Sequence, residues 1–113
     1  MISRRRKERK GSWLENHVAN RYRKAGYNVR KHVIISKGEI DILAIKRKER
    51  LTIEVKSGSQ TITSSTMIKL YRKARRINAK PVLFIGPNVN VTISAKELAK
   101  KLGIRIKKWK PRS

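Results

Sequence analysis

Cysteine is absent from this 113-residue sequence, which excludes disulfides, thiolate zinc sites and cysteine nucleophiles. Histidine occurs twice, as His17 and His32, too few and too far apart in sequence to suggest a zinc cluster. No apolar run approaches the roughly 18 residues of a membrane span, and the basic N-terminus has no apolar signal-peptide stretch. A cytoplasmic protein with no membrane partner is the expectation. Acids are scarce as well: 7 Asp+Glu stand against 31 Lys+Arg, a formal charge of +24. That much self-repulsion opposes compaction and points to a polyanionic partner. Charge alone would equally suit a basic ribosomal or chromatin protein. The placement of the few acids separates the two, because Glu39, Asp41 and Glu54 share one stretch where a pure polyanion binder has no use for them.

That stretch, Gly38–Gly58 (GEIDILAIKRKERLTIEVKSG), reads as two apolar strands joined by a charged turn at Arg47 and Lys48. Antiparallel pairing places Ile40 opposite Val55, Ile42 opposite Ile53 and Ala44 opposite Leu51, one continuous apolar face. The same register sets Asp41 against Glu54 on the other face, with Lys56 two residues further along it. Two facing carboxylates suit a hard divalent cation such as magnesium, which takes oxygen ligands and keeps several waters. The Val55 carbonyl is a further candidate oxygen. Lys56 is placed to orient a water or to stabilise developing negative charge. The plain alternative is a surface ion pair between Glu54 and Lys56.

Length and composition predict a single domain over residues 1–113, with a basic arm over 1–10 and a basic tail over 110–113. Ser12 to Glu15 has capping-box spacing, and Leu14, Val18, Tyr22 and Ala25 follow at helical intervals up to Gly26. A β-branched strand over 27–36 precedes the hairpin. Residues 57–65 read as a polar loop leading into a second helix with the stripe Met67, Leu70, Tyr71, Ala74 and Ile77. Val82–Ile85 reads as a buried, parallel strand. Ser94 is the expected cap of a short helix to Leu102, and Ile104–Trp109 the last strand. The predicted order is α-β-β-β-α-β-(β)-α-β, an α/β unit.

Asp41 followed after a dozen residues by Glu54-Val55-Lys56 resembles the PD-(D/E)XK nuclease motif, here as I-D…E-V-K, with Ile40 where the superfamily's name has Pro. Glu15, near the start of the preceding helix, and the element order are similar too. Within that superfamily the chain resembles archaeal Holliday-junction resolvases of the Hjc type. The shared features are Arg9-Lys10-Gly11-Ser12, the G-x-x-D from Gly38 to Asp41, and Lys80-Pro81-Val82-Leu83. The resemblance implies a restriction-endonuclease-like fold, a central mixed β-sheet flanked by helices. It implies magnesium-dependent phosphodiester cleavage, with manganese substituting, centred on Glu15, Asp41, Glu54 and Lys56. It also implies a homodimer that makes paired nicks in branched double-stranded DNA, and a functional loop serine, for which Ser36, beside Lys37, is the candidate. By position alone Glu15 is better explained as a helix cap, and the resemblance is what brings it to the site.

Candidate DNA contacts are Arg4, Arg5, Arg6, Lys7, Arg9 and Lys10 in the arm, and Lys69, Arg72 and Lys73 on the second helix. A RecB-like or restriction-type nuclease acting on ends or single strands is the competing reading. Gln60 and Tyr71 are too widely spaced for the RecB-type Q…Y pair. A non-catalytic nucleic-acid-binding protein is the third reading. Trp13 and Trp109 are assigned no DNA role.

Overall fold

The computed structural model describes residues 10–110, with side chains from Trp13 onward. The expected arm contacts Arg4, Arg5, Arg6, Lys7 and Arg9, and the tail beyond Lys110, lie outside the described residues. Lys10 opens the first helix.

The elements are α1 (Lys10–Lys24), β1 (Asn28–Ile35), β2 (Gly38–Lys46), β3 (Glu49–Lys56), β4 (Gln60–Ile62), α2 (Ser64–Arg76), β5 (Lys80–Ile85), β6 (Val89–Val91), α3 (Ile93–Leu102) and β7 (Arg105–Lys108). The main sheet has the order β1-β2-β3-β5-β7. Its first three strands are antiparallel and its last three parallel, with α2 and α3 as the crossovers. The mixed sheet and flanking helices match the fold expected from the sequence.

Alternation along the strands divides the core into two layers. Ile42, Ala44, Leu51, Ile53, Val82 and Phe84 pack against Leu14, Val18, Ala19 and Tyr22 of α1. Leu83 and Ile85 pack the other way, against Met67 and Leu70 of α2 and Ala95 and Ala99 of α3. Burial on both faces is why Val82–Ile85 is continuously apolar. Each such side chain, fully withdrawn from water, contributes about 2 kcal/mol. Phe84 is buried in this core. Gly26 ends α1 as expected, with φ +96 and the Tyr27 N–H donating to the Tyr22 carbonyl at 3.0 Å.

Four local expectations change. The stretch taken as a polar loop contains β4, which pairs in parallel with β6 as a separate two-stranded sheet and buries Ile62. The cap of α3 is Thr92, whose side-chain oxygen accepts the Ala95 N–H at 3.1 Å, and Ser94 lies inside the helix. Helix α1 begins at Lys10, so Ser12 is already helical and Glu15 is not the third residue of a Ser12 capping box. Ala25 falls beyond α1 and is exposed, and Ala19 takes its place in the stripe.

Candidate active site

The β2–β3 hairpin closes over Arg47 and Lys48, with Arg47 at φ +57. Its ladder runs from Lys46–Glu49 through Ala44–Leu51 to Ile42–Ile53, the register read from the apolar pattern. There the two strands part, because β2 goes on pairing with β1 as far as Gly38 while β3 follows β5 as far as Lys56. A side chain bridges the gap: the Val55 N–H donates to Asp41 Oδ2 at 3.0 Å. The N–H and C=O of one strand residue share an edge, so the Val55 carbonyl faces the Asp41 side too.

Continuing the register sets Asp41 across from Glu54, on the face shared by Leu43 and Thr52. Burial, then the nearby Glu54 charge, pushes the Asp41 carboxyl up to about 6; Glu15 adds to the rise, while the Val55 N–H and Lys56 oppose it. Glu54 is largely buried. Lys56 Nζ lies 3.3 Å from its Oε2, and Lys73 Nζ, from α2, lies 3.7 Å from its Oε1. Lys73 also donates to the Glu39 carbonyl at 2.8 Å. Gly38, with φ +140, leaves room for that lysine stem, since a Cβ there would stand 3.3 Å from Lys73 Cε. Lys73 is therefore part of the acid cluster, whereas its helix neighbours Lys69 and Arg72 are exposed. Ser36 and Lys37 form the exposed β1–β2 turn at the same end of the hairpin.

Glu15 reaches this end through a residue that the strand pattern did not single out. His32 Nε2 is 2.9 Å from Glu15 Oε1, and its Nδ1 is 3.1 Å from Glu39 Oε2. Closing the β1–β2 hairpin over Ser36-Lys37 would have found it, because that register pairs Lys31 with Ile42 and Val33 with Ile40 and so brings His32 opposite Asp41.

The donor set suits a hard cation. Asp41 and Glu54 offer carboxylate oxygens beside the Val55 carbonyl edge, and a cation there would offset both the burial and the Glu54 charge that raise the Asp41 carboxyl. No group of three or more His, Cys, Asp or Glu side chains among the described residues could hold a metal by itself. A bound ion would therefore keep positions for water and phosphate. A 220 Å³ cavity among the described residues, lined by Tyr22, Tyr27, Glu49, Lys80 and Arg105 among others, lies at the opposite end of β3 and holds one acid. The acids gather at the parted hairpin instead.

Solved structures share the fold. A repair endonuclease from Pyrococcus abyssi superposes with a TM-score of 0.72 at 17% identity, over 93% of this chain and 49% of that one. A protein of unknown function matches with a TM-score of 0.70 at 21% identity, over 85% and 56%. An EndoMS chain in complex with double-stranded DNA matches with a TM-score of 0.61 at 17% identity, over 78% and 38%. The chain thus spans about half the length of the first two and less of the third. No curated protein matches it. The family match covers the full set of elements and the parted hairpin: over residues 7–110 the chain belongs to the restriction endonuclease family Mrr_cat, within the PD-(D/E)XK superfamily.

Proposed function

We propose that this chain is a magnesium-dependent DNA endonuclease that acts on branched DNA, as a homodimeric Holliday-junction resolvase making paired symmetric nicks. The observation that carries the nuclease reading is that Asp41 stands across from Glu54 on one sheet face, beside Lys56, where β2 and β3 part. Membership of a nuclease family supports it. The junction preference rests on the resemblance of Arg9–Ser12, Gly38–Asp41 and Lys80–Leu83 to the Hjc-type resolvases.

Asp41, Glu54 and the Val55 carbonyl are the residues that would hold the ion. Bound magnesium supplies positive charge at the scissile phosphate and favours deprotonation of the attacking water; manganese would do the same. The remaining steps fall to the chain. Lys56 holds its ammonium beside Glu54, placed to orient the water and to neutralise charge building on the phosphate. Glu15 brings a third carboxylate whose charge is felt at Asp41. Lys69 and Arg72 on α2, and Ser36 and Lys37 in the turn, border the site with exposed donors suited to phosphates of the flanking strands. Because the homodimer carries two such sites, two opposed strands can be cut in one encounter.

The family's restriction endonuclease description favours a second reading, cleavage of linear duplex DNA. A cleavage panel separates the two. Purified protein with magnesium is offered a labelled four-way junction, linear duplex, single strand and flap, with Asp41→Asn beside it. Paired nicks in the junction alone are expected, and Asp41→Asn should lower the rate by roughly a thousandfold or more. Cutting of duplex, ends or single strands would keep the site and discard the junction preference. Cutting that survives Asp41→Asn would discard the site. Sedimentation of a monomer at micromolar concentration, with and without junction DNA, would contradict the dimer.

A further inference from the structure

His32 lies inside β1 with a backbone φ of +53. That is the left-handed region, uncommon for any residue with a side chain, and here there is no turn for it to serve. The other two non-glycine residues of positive φ, Arg47 and Asn78, stand in turns. The β1–β2 ladder keeps one register on both sides of His32, so no inserted residue explains the distortion. The ring has an unusual setting instead, with a carboxylate on each nitrogen, Glu15 at 2.9 Å and Glu39 at 3.1 Å. The imidazole thus bridges the two carboxylates through its two nitrogens. One end grips α1 and the other grips β2, two residues before Asp41. Glu15 has only 15% of its side chain exposed, and the ring that holds it is 55% exposed.

We infer that His32 is a positioning residue: its imidazole ties Glu15 to Glu39 and so fixes where the Glu15 carboxylate stands relative to Asp41 and Glu54. The inference rests on Glu15 belonging to the site proposed above. Backbone strain held at this one strand residue by two charge-assisted contacts is the pattern expected where placement of a side chain matters more than local stability.

Two measurements test it, one of them independent of cleavage. The first is NMR of the histidine ring C–H groups in wild type, Glu15→Gln and Glu39→Gln, with His17→Asn assigning the two signals. Movement of the His32 signal in both carboxamide variants is expected; no movement in either overturns the tie. The second is a cleavage cycle of His32→Gly, Glu15→Gln and the double variant. His32→Gly should lower kcat about 10- to 100-fold with KM little changed. Its Tm should hold or rise, because glycine adopts positive φ freely. The double variant should be no slower than the worse single one, and His32→Arg, which offers donors to both acids, should recover part of the rate. Losses that multiply overturn the positioning role, as does a fall in Tm that tracks the lost rate without recovery by His32→Arg. A wild type that cuts nothing, with the ring signals moving as expected, overturns the nuclease reading and the positioning role with it, leaving only the contact.

Discussion

Burial and the neighbouring charges of Glu54 and Glu15 push the Asp41 carboxyl up to about 6, so the metal-free fold favours its protonated form. The folded pKa lies above the ordinary value of 3.8. The stability Asp41 contributes is therefore complete below about pH 4 and lost as pH rises through about 6. In metal-free protein, the Tm difference between Asp41→Asn and wild type should swing in favour of the variant across that window. Asparagine keeps an acceptor for the Val55 N–H but never ionises. Magnesium at pH 7.5 should then raise the Tm of wild type and leave Asp41→Asn unmoved. Thermal scans at pH 4, 5, 6 and 7, with and without magnesium, read all of this. A constant difference across the range would mean that the carboxyl is solvated and does not carry the strain assigned to it. A swing of the expected kind would mean that cation binding at this residue displaces its proton.

At the scale of elements, the hairpin was legible because a period of two, a charged turn and strict burial of one face admit a single register. Ile42–Ile53 and Ala44–Leu51 pair as the pattern requires. Strand β4 was not legible. It has three residues, and its partner β6 begins 27 positions after Ile62. The pairing is settled by tertiary packing around Ile62 and Val89, not by local propensity. That small sheet also explains the shifted cap of α3. Thr92 and Ser94 are both cap formers by chemistry, but the Thr92 N–H donates to the Ile62 carbonyl at 3.1 Å, which holds Thr92 in extended backbone and starts the helix after it. Thr92→Ala should accordingly cost about 1 kcal/mol, and Ser94→Ala a few tenths at most. Denaturant melts of the two variants decide the matter, and equal losses would return the cap to Ser94. His32 and Lys73 escaped the sequence for related reasons. A β-branched run such as Val33-Ile34-Ile35 gives no sign of a left-handed residue beside it. Nor does a helix bearing five close cations show which of them points inward until its packing face is fixed by Met67, Leu70 and Ala74.

For the whole molecule, the +24 charge is the dominant fact that the fold leaves unresolved. The ion pairs among the described residues engage four acids, Glu15, Glu39, Glu49 and Glu54, and the cations they satisfy are Lys56, Lys73 and Lys80 together with the His32 ring. Most of the Lys and Arg side chains among the described residues therefore stand outside these ion pairs. Binding to DNA should weaken steeply with salt, each neutralised phosphate adding about 0.9 to the slope of log K against log salt. Lys69→Ala and Arg72→Ala should each lower that slope by close to one without altering where DNA is cut. Fluorescence anisotropy across a salt series measures it, and slopes unchanged by both variants would remove α2 from the DNA surface. One packing detail offers an independent view of the same molecule. The chain's two tryptophans form a single edge-to-face pair, Trp13 of α1 against Trp109 just after β7, with ring centroids 5.1 Å apart. The Trp109 backbone N–H is moored to the Ile85 carbonyl at 2.8 Å. All indole emission thus originates at one seam between the first helix and the last strand. Intrinsic fluorescence becomes a label-free gauge of whether that seam is shut, in a chain with no thiol to quench it.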